Sequence, residues 1–492
     1  MSLRDTASAN ILGFFVLISL LLSCIFVAYV LATQNVYWVT GAVLAVVLFA
    51  VGFLSPKVSL YILIFSMLLS PEIGARDMSS GKGFTIRFED LLLIIMGFAW
   101  IARSAVHKEI GLALFTRLNR PIFLYTLACI VSTAWGVING FVNSPLTGLM
   151  FVMKYIEYFI IFFITMNNVD SKAQLRKILG AMFITFIIIL IYGFMQIPMG
   201  NRISTPFEGK DLEPNSLGGY IVIMMSLSLA LFTSLEKSYK KFSMGVLCFL
   251  SFIALLYTLS RSSWLAMGVM YIGMLFFTKR RIPLVLALVA GLVIAPFTLP
   301  SIVLERIMYT FRGEREGPMF TEQEMPFVFE GKIGTPTYDS STTARLDSMH
   351  QAMSDFMKHP ILGYGITGHM FLDAQYHRVL VETGIIGMAA FIYLLWMTGS
   401  QLLKIRKQYG HDILYHTLSV GTFCAFLGLL AHAVGTNSFI IVRLMEPFWC
   451  LVALNLSIPY IEGDAAKGSA VKAATAKADA AQASPLTPPA TA

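Results

Sequence analysis

The chain has 492 residues, of which 57% are hydrophobic and only 13% charged, with a formal net charge of +8 and a mean hydropathy of +0.72. Soluble domains carry about 25% charged residues, so this composition excludes a water-soluble globular protein. The positive balance does not call for nucleic acid, because its distribution along the chain has a membrane explanation.

Apolar runs of the length that crosses a bilayer core as helix recur almost from end to end. In chain order they predict helices over about 9–32, 36–54, 58–72, 90–104, 121–139, 147–167, 177–197, 215–235, 242–259, 263–278, 283–304, 378–402, 412–434 and 443–460. The expected fold class is an all-α polytopic integral membrane protein of about 12–14 transmembrane helices. The first run is too long for a cleaved signal peptide and lacks a small-residue cleavage site. Four regions follow: an N-terminal bundle over 1–304, a large loop over 305–377, C-terminal helices over 378–462 and a tail over 463–492. The tail is rich in Ala, Lys, Pro and Thr without large apolar residues, and is expected to be disordered. The five cysteines all lie inside apolar runs and read as packing residues.

Short basic connections alternate along the chain: Arg103 with Lys108, Arg117 with Arg120, Lys172/Arg176/Lys177, Lys237/Lys240/Lys241, Lys279/Arg280/Arg281 and Lys404/Arg406/Lys407. All fall on one side of the alternating count, which the positive-inside rule makes cytoplasmic, together with both termini. The opposite side holds the longer segments. Within the large loop, Leu346, Met349, Met353, Phe356 and Met357 follow a helical period, predicting a helix over about 344–358 that His359–Pro360 ends.

That opposite side also carries arginines where few are expected: Arg202, Arg261, Arg345 and Arg378. Each has an ordinary reading. Arg261 can snorkel, Arg202 can be solvated, Arg345 can pair with Asp347 or Asp355, and Arg378 can anchor at headgroups. Arg443 with Glu446, and Lys154 with Glu157, have the spacing of plain helical pairs. Taken together, the cations call for a polyanion, and guanidinium matches phosphate oxygens in pairs. His377 opens a predicted span on the same side, with Glu382 about one and a half turns on, and is suited to take a proton near neutral pH. Its ordinary reading is an interfacial histidine bonded to backbone. His350, His359 and His369 match no zinc spacing, so no metal is expected. Phosphate-loop, nucleophile-elbow and zinc-protease motifs are absent from the sequence.

The stretches IRFEDLLLI (86–94), MKYIEYFIIFFI (153–164), EPNSLGGYI (213–221), TLSRSSWLA (258–266), ARLDSMHQAMSDFMKHPILGYG (344–365) and YHRVLVETGIIG (376–387) resemble, in order and spacing, the O-antigen ligase/polymerase superfamily of bacterial envelope glycan enzymes. The resemblance covers about 85–460. It implies a GT-C-like glycosyltransferase architecture in the bacterial inner membrane, with a periplasmic active site and the 344–358 helix as a lid. It implies pyrophosphate binding by Arg261, Arg202 and Arg345, and His377 as the base for the acceptor hydroxyl. Glu382, Arg378 and Asn215 would be supporting residues; the family pattern often has Asn where this chain has Arg378. The donor would be an undecaprenyl-pyrophosphate-linked glycan, the acceptor a lipid-linked repeat or lipid A-core, with a flippase and a chain-length regulator as further candidate partners. The implied reaction is a single metal-independent displacement that inverts the anomeric centre and needs no cofactor. An overall similarity to exopolysaccharide polymerases favours polymerisation. Ligation to lipid A-core or a protein hydroxyl is the alternative. A transporter is the distant one, calling for inverted repeats and mid-span ionisable residues that the sequence does not display.

Overall fold

The computed structural model describes residues 36–76, 84–106, 116–200, 202–207, 213–236, 239–309 and 340–482. Every predicted run from residue 36 onward coincides with a helix, except that 283–304 is divided at Pro300; the run at 9–32 lies outside the described residues. In chain order come α1 (Val36–Leu54), α2 (Pro56–Leu69), α3 (Phe88–Val106), α4 (Asn119–Ile138), α5 (Pro145–Asn168), α6 (Lys172–Gln196), α7 (Pro214–Ser234), α8 (Tyr239–Tyr257) and α9 (Arg261–Phe277). They are followed by α10 (Ile282–Thr298), α11 (Ser301–Tyr309), α12 (Ser340–Phe356), α13 (Gln375–Tyr409), α14 (Ile413–His432) and α15 (Val442–Gln482). Among the described residues eight helices are long and apolar enough to cross a membrane: α4, α5, α6 with its 3-10 extension to Met199, α7, α8, α13, α14, and α15 as far as Gly463. The protein is an all-α polytopic membrane protein.

Two features depart from the sequence expectation. A two-stranded antiparallel ribbon, β1 (Glu72–Arg76) and β2 (Phe84–Arg87), stands between α2 and α3, with Ala75 opposite Thr85 and a register shift between Glu72 and Gly74. The tail read as disordered from 463 instead continues α15 to Gln482, while 483–492 lie outside the described residues. Its many alanines and lysines are strong helix formers, so local propensity favours continuing the helix.

Local sequence explains where the helices begin. Ser144, Ser171, Ser260 and Asp412 accept first-turn backbone N–H groups at the starts of α5, α6, α9 and α14, and Pro145 and Pro214 supply the fixed φ of a first helical residue.

The chain divides into two compact units: 1–63 with 90–112, and 64–89 with 113–492. In the first, Arg103 donates to the carbonyls of Phe53 and Leu54 at 2.8 and 2.9 Å, closing the C-terminus of α1. In the second, α7, α14 and the first part of α15 are buried almost all round, with α9 packed on α14 and α4 on α13. One end of this second unit gathers the basic connections. Lys172 pairs with Asp412, Lys279 donates to Gly410 O at 3.3 Å, Arg280 to Leu235 O at 3.0 Å and Arg406 to Phe277 O at 3.1 Å. The arginines singled out above lie at the other end.

Candidate functional site

The turn between α8 and α9 is built around Leu259, a non-glycine residue with φ +51°. Left-handed backbone costs about 1 kcal/mol for such a residue and needs outside support. Arg202 supplies it: its Nε donates to Thr258 O at 3.1 Å and its Nη2 to Leu259 O at 3.4 Å, while Ile203 N donates to Tyr257 O at 3.3 Å. The guanidinium thus takes up carbonyls stranded at the end of α8, and it sits beside the turn that presents Arg261 as the first residue of α9. Ser260 Oγ donates to Asn215 Oδ1 at 2.7 Å, which docks the start of α7 on the same turn. Glycine at 218 makes this possible, since a Cβ there would lie 2.2 Å from Ser263 Oγ.

The segment 203–206 after Arg202 is buried and non-helical, so its backbone groups need partners. Gln196 meets Ser204 on both, donating to its carbonyl and accepting from its amide at 3.0 Å each. Arg443, fully buried, donates to the Thr205 hydroxyl, to Pro206 O at 3.2 Å and to Ser70 O at 3.0 Å, with Glu89 3.9 Å from its Nε. Sequence spacing suggested a pair with Glu446; the side chain also reaches three other segments, at 205–206, 70 and 89. Nearby, Arg87 pairs with Glu72 at 3.1 Å and approaches Glu89 at 4.0 Å. Burial pulls the Arg87 guanidinium down, and the carboxylates of Glu89, Glu213 and Glu72 outweigh it, raising the group above its ordinary value.

A second rim is tied to the first through residues 433–439. Ser262 Oγ meets Thr436 Oγ1 at 2.9 Å, so the start of α9 touches this connection. From its other side, Phe439 N donates to Gln375 Oε1 at 3.0 Å, Gln375 N donates to Ala433 O at 3.2 Å, and Asn437 Nδ2 donates to Leu372 O at 2.6 Å. His377, half-buried, is therefore two residues from the contact that fixes the start of α13. His350 of α12 lies within electrostatic reach of it. Arg345 does not pair along its own helix with Asp347 or Asp355; its Nη2 holds Asp373 at 2.9 Å, just ahead of α13, and lies within electrostatic reach of His432. The starts of α7, α9, α13 and α15 thus gather around one connection, Leu444 closing on Gly219. Helix N-termini and guanidinium groups both favour an anion there.

Arg378 and Glu382 belong to a different structure. Arg378 is buried with its Nε 3.1 Å from Glu382 Oε1 and its guanidinium over the Phe371 ring, so it is no headgroup anchor. Their helix breaks at Gly384, where φ is +64° and a Cβ would meet Ile361 O at 2.2 Å. The break strands two carbonyls and two amides, and residues 360–365 satisfy all four. Tyr364 N and Gly365 N donate to Val381 O and Glu382 O at 3.0 and 2.8 Å, and Ile385 N and Ile386 N donate to Pro360 O and Ile361 O at 2.8 and 3.5 Å. Ser132 Oγ from α4 adds contacts to Leu362 O and Glu382 O at 2.7 and 2.6 Å. At the foot of this strap, Asp355 accepts from Lys358 at 2.7 Å and meets His369 Nε2 at 3.0 Å; these bonds hold its carboxyl below the usual carboxylate value.

Of the residues expected from sequence, Arg202, Arg261 and Asn215 are joined through one turn, and Arg345 and His377 share the second rim. Arg378 and Glu382 serve the helix break. Sequence reasoning did not single out His432, Ser263, Ser438 or Thr436, which bridge the two rims; the polar cluster GTNS at 435–438, between two apolar runs, was the available signal. Among the described residues no group of three or more His, Cys, Asp or Glu is placed to hold a metal.

No curated protein matches the sequence. Residues 246–392 match the family model Wzy_C, described as O-Antigen ligase. The match runs from within α8 to within α13 and takes in Arg261, Arg345 and His377. Over those residues, under a third of the chain, the match supports the resemblance to the O-antigen ligase/polymerase superfamily.

Proposed function

We propose that the protein is a glycosyltransferase of the extracytoplasmic membrane face, moving an undecaprenyl-pyrophosphate-linked glycan onto an acceptor hydroxyl and so polymerising lipid-linked repeats. The reading is supported by a run of contacts: Arg202 braces the turn that begins α9 at Arg261, Ser262 of that helix meets Thr436, the same connection bonds Gln375 two residues before His377, and Arg345 holds Asp373 just ahead of it. Such an arrangement attracts a diphosphate without a metal, because the guanidinium charges neutralise the leaving group directly. His377 takes the proton of the acceptor hydroxyl, whose oxygen forms a bond to the anomeric carbon as the bond to the pyrophosphate oxygen breaks. The electron pair leaves on undecaprenyl pyrophosphate, held by Arg261 and Arg202, and the anomeric configuration inverts. Arg345, bound to Asp373, couples α12 to the rim that carries the base.

Ligation of a finished glycan is the second reading, favoured by the description of the matching family as O-Antigen ligase. Deleting the protein from its host separates the two. Surface glycans reduced to single repeats identify a polymerase, and long lipid-linked chains accumulating without surface glycan identify a ligase. In the same assay, Arg261→Ala and His377→Ala are each expected to reduce transfer at least about a hundredfold at normal protein level. Ordinary transfer by either variant would remove that residue from the reaction.

A further inference from the structure

Beneath the turn that presents Arg261 runs a chain of short hydrogen bonds that the reaction above leaves unused. His432 is fully buried with both ring nitrogens engaged: Nδ1 lies 2.7 Å from Ser438 Oγ and Nε2 lies 3.0 Å from Ser263 Oγ. Ser263 Oγ donates to Ser260 Oγ at 2.8 Å, and Ser260 Oγ donates to Asn215 Oδ1 at 2.7 Å. Proton accounting fixes its direction. Ser260 Oγ already accepts the backbone N–H and the hydroxyl of Ser263, which fills both lone pairs. Its own proton must therefore meet an acceptor, and the amide oxygen of Asn215 is the nearest. Ser263, donating to Ser260, accepts from His432 Nε2–H. Nδ1 then accepts from Ser438. Run this way, every link is 3.0 Å or shorter. Run in reverse, the last proton would fall on Ser438 with only the Thr436 carbonyl, 3.4 Å away, to receive it.

With the Asn215 oxygen committed to Ser260, its NH2 group faces away from the chain, and no described residue accepts from it. Asn215 is half-buried, at the start of α7, beside the residue that precedes Arg261. We propose that Asn215 is a binding residue of the site, its amide NH2 donating to a phosphate oxygen of the departing diphosphate, and that His432 is a positioning residue acting on that amide through Ser263 and Ser260. The proposal rests on the diphosphate reading above and assigns it a neutral donor bonded to the turn that Arg202 braces and Arg261 follows. A neutral donor holds an anion without adding to the repulsion between guanidinium groups, and a side chain oriented in advance loses little freedom on binding.

The test is equilibrium binding of undecaprenyl pyrophosphate to the full chain in lipid nanodiscs, with undecaprenol as the control for the lipid tail. Asn215→Asp keeps the shape and the oxygen that Ser260 needs but replaces NH2 with an anionic oxygen. It is expected to weaken pyrophosphate binding at least about tenfold, the scale of one hydrogen bond to a charged group, and to leave undecaprenol binding unchanged. Asn215→Ala should weaken it in the same sense and serves where the Asp variant is not recovered folded. His432→Leu should weaken it several-fold alone and have no further effect in the Asn215→Ala background, because its action passes through that amide. Wild-type affinity in both Asn215 variants, with Arg261→Ala still weakened, would overturn the proposal and leave the diphosphate reading intact. Additive losses in the double variant would remove His432 from its positioning role. A wild-type chain that binds pyrophosphate lipid no better than undecaprenol would defeat the diphosphate reading itself.

Discussion

At the scale of single residues, the arginines divide by what surrounds them. Arg378 is almost wholly buried with Glu382, and a buried charge left without its partner is far more costly than the intact pair. Arg378→Ala should therefore lower stability by about 3–5 kcal/mol, read as a fall in the thermal unfolding midpoint of the purified protein. Replacing both partners, Arg378→Met with Glu382→Leu, should recover most of that loss. Arg261 and Arg202 lie half-buried at an open rim, where removal should change ligand binding much more than stability. From the sequence all of these were equivalent cations near span ends. What separates them is which neighbour the fold delivers: Asp373 to Arg345, the carbonyls of 258 and 259 to Arg202, and Glu382 to Arg378. Of these only the i,i+4 pair was local enough to be legible. His432 escaped notice for a similar reason, because its partners Ser263 and Ser438 become neighbours only when α9 and α14 pack.

At the scale of elements, helix positions were legible because hydrophobic length is a one-dimensional property. Breaks were less so. Pro300 divides one predicted run, and the Gly384 break is invisible to hydropathy because apolar residues continue through it. The ribbon of β1 and β2 also escaped, its strands being only five and four residues long. Gly384→Ala tests the break directly. The new methyl would fall 2.2 Å from Ile361 O at a φ that disfavours side chains, so the variant should unfold at markedly lower temperature. Ala at Gly291, where nothing lies within 4 Å, should have little effect.

At the scale of the whole molecule, the segregation of charge was the most legible feature. Within the second unit, the connections carrying Lys172, Lys279, Arg280 and Arg406 are brought to one end by contacts such as Arg406 with Phe277 and Lys279 with Gly410. That end should face the cytoplasm, where cationic loops are retained. Cysteine labelling in intact cells checks it. Cysteine at Met370, an exposed position ahead of α13, should react with a membrane-impermeant maleimide, and cysteine at Arg281 should react only after permeabilisation. The reverse pattern would place His377 on the wrong side for an extracytoplasmic reaction.

The one-to-one match between residues 360–365 and the break in α13 also sets rules for anyone recombining these proteins. The number of residues between Pro360 and Gly365 is pinned by four simultaneous bonds. A chimera should therefore keep 360–365 and the first half of α13 from the same parent. A junction placed inside the strap would unhitch the nine residues of α13 that bear His377 from the longer half that follows.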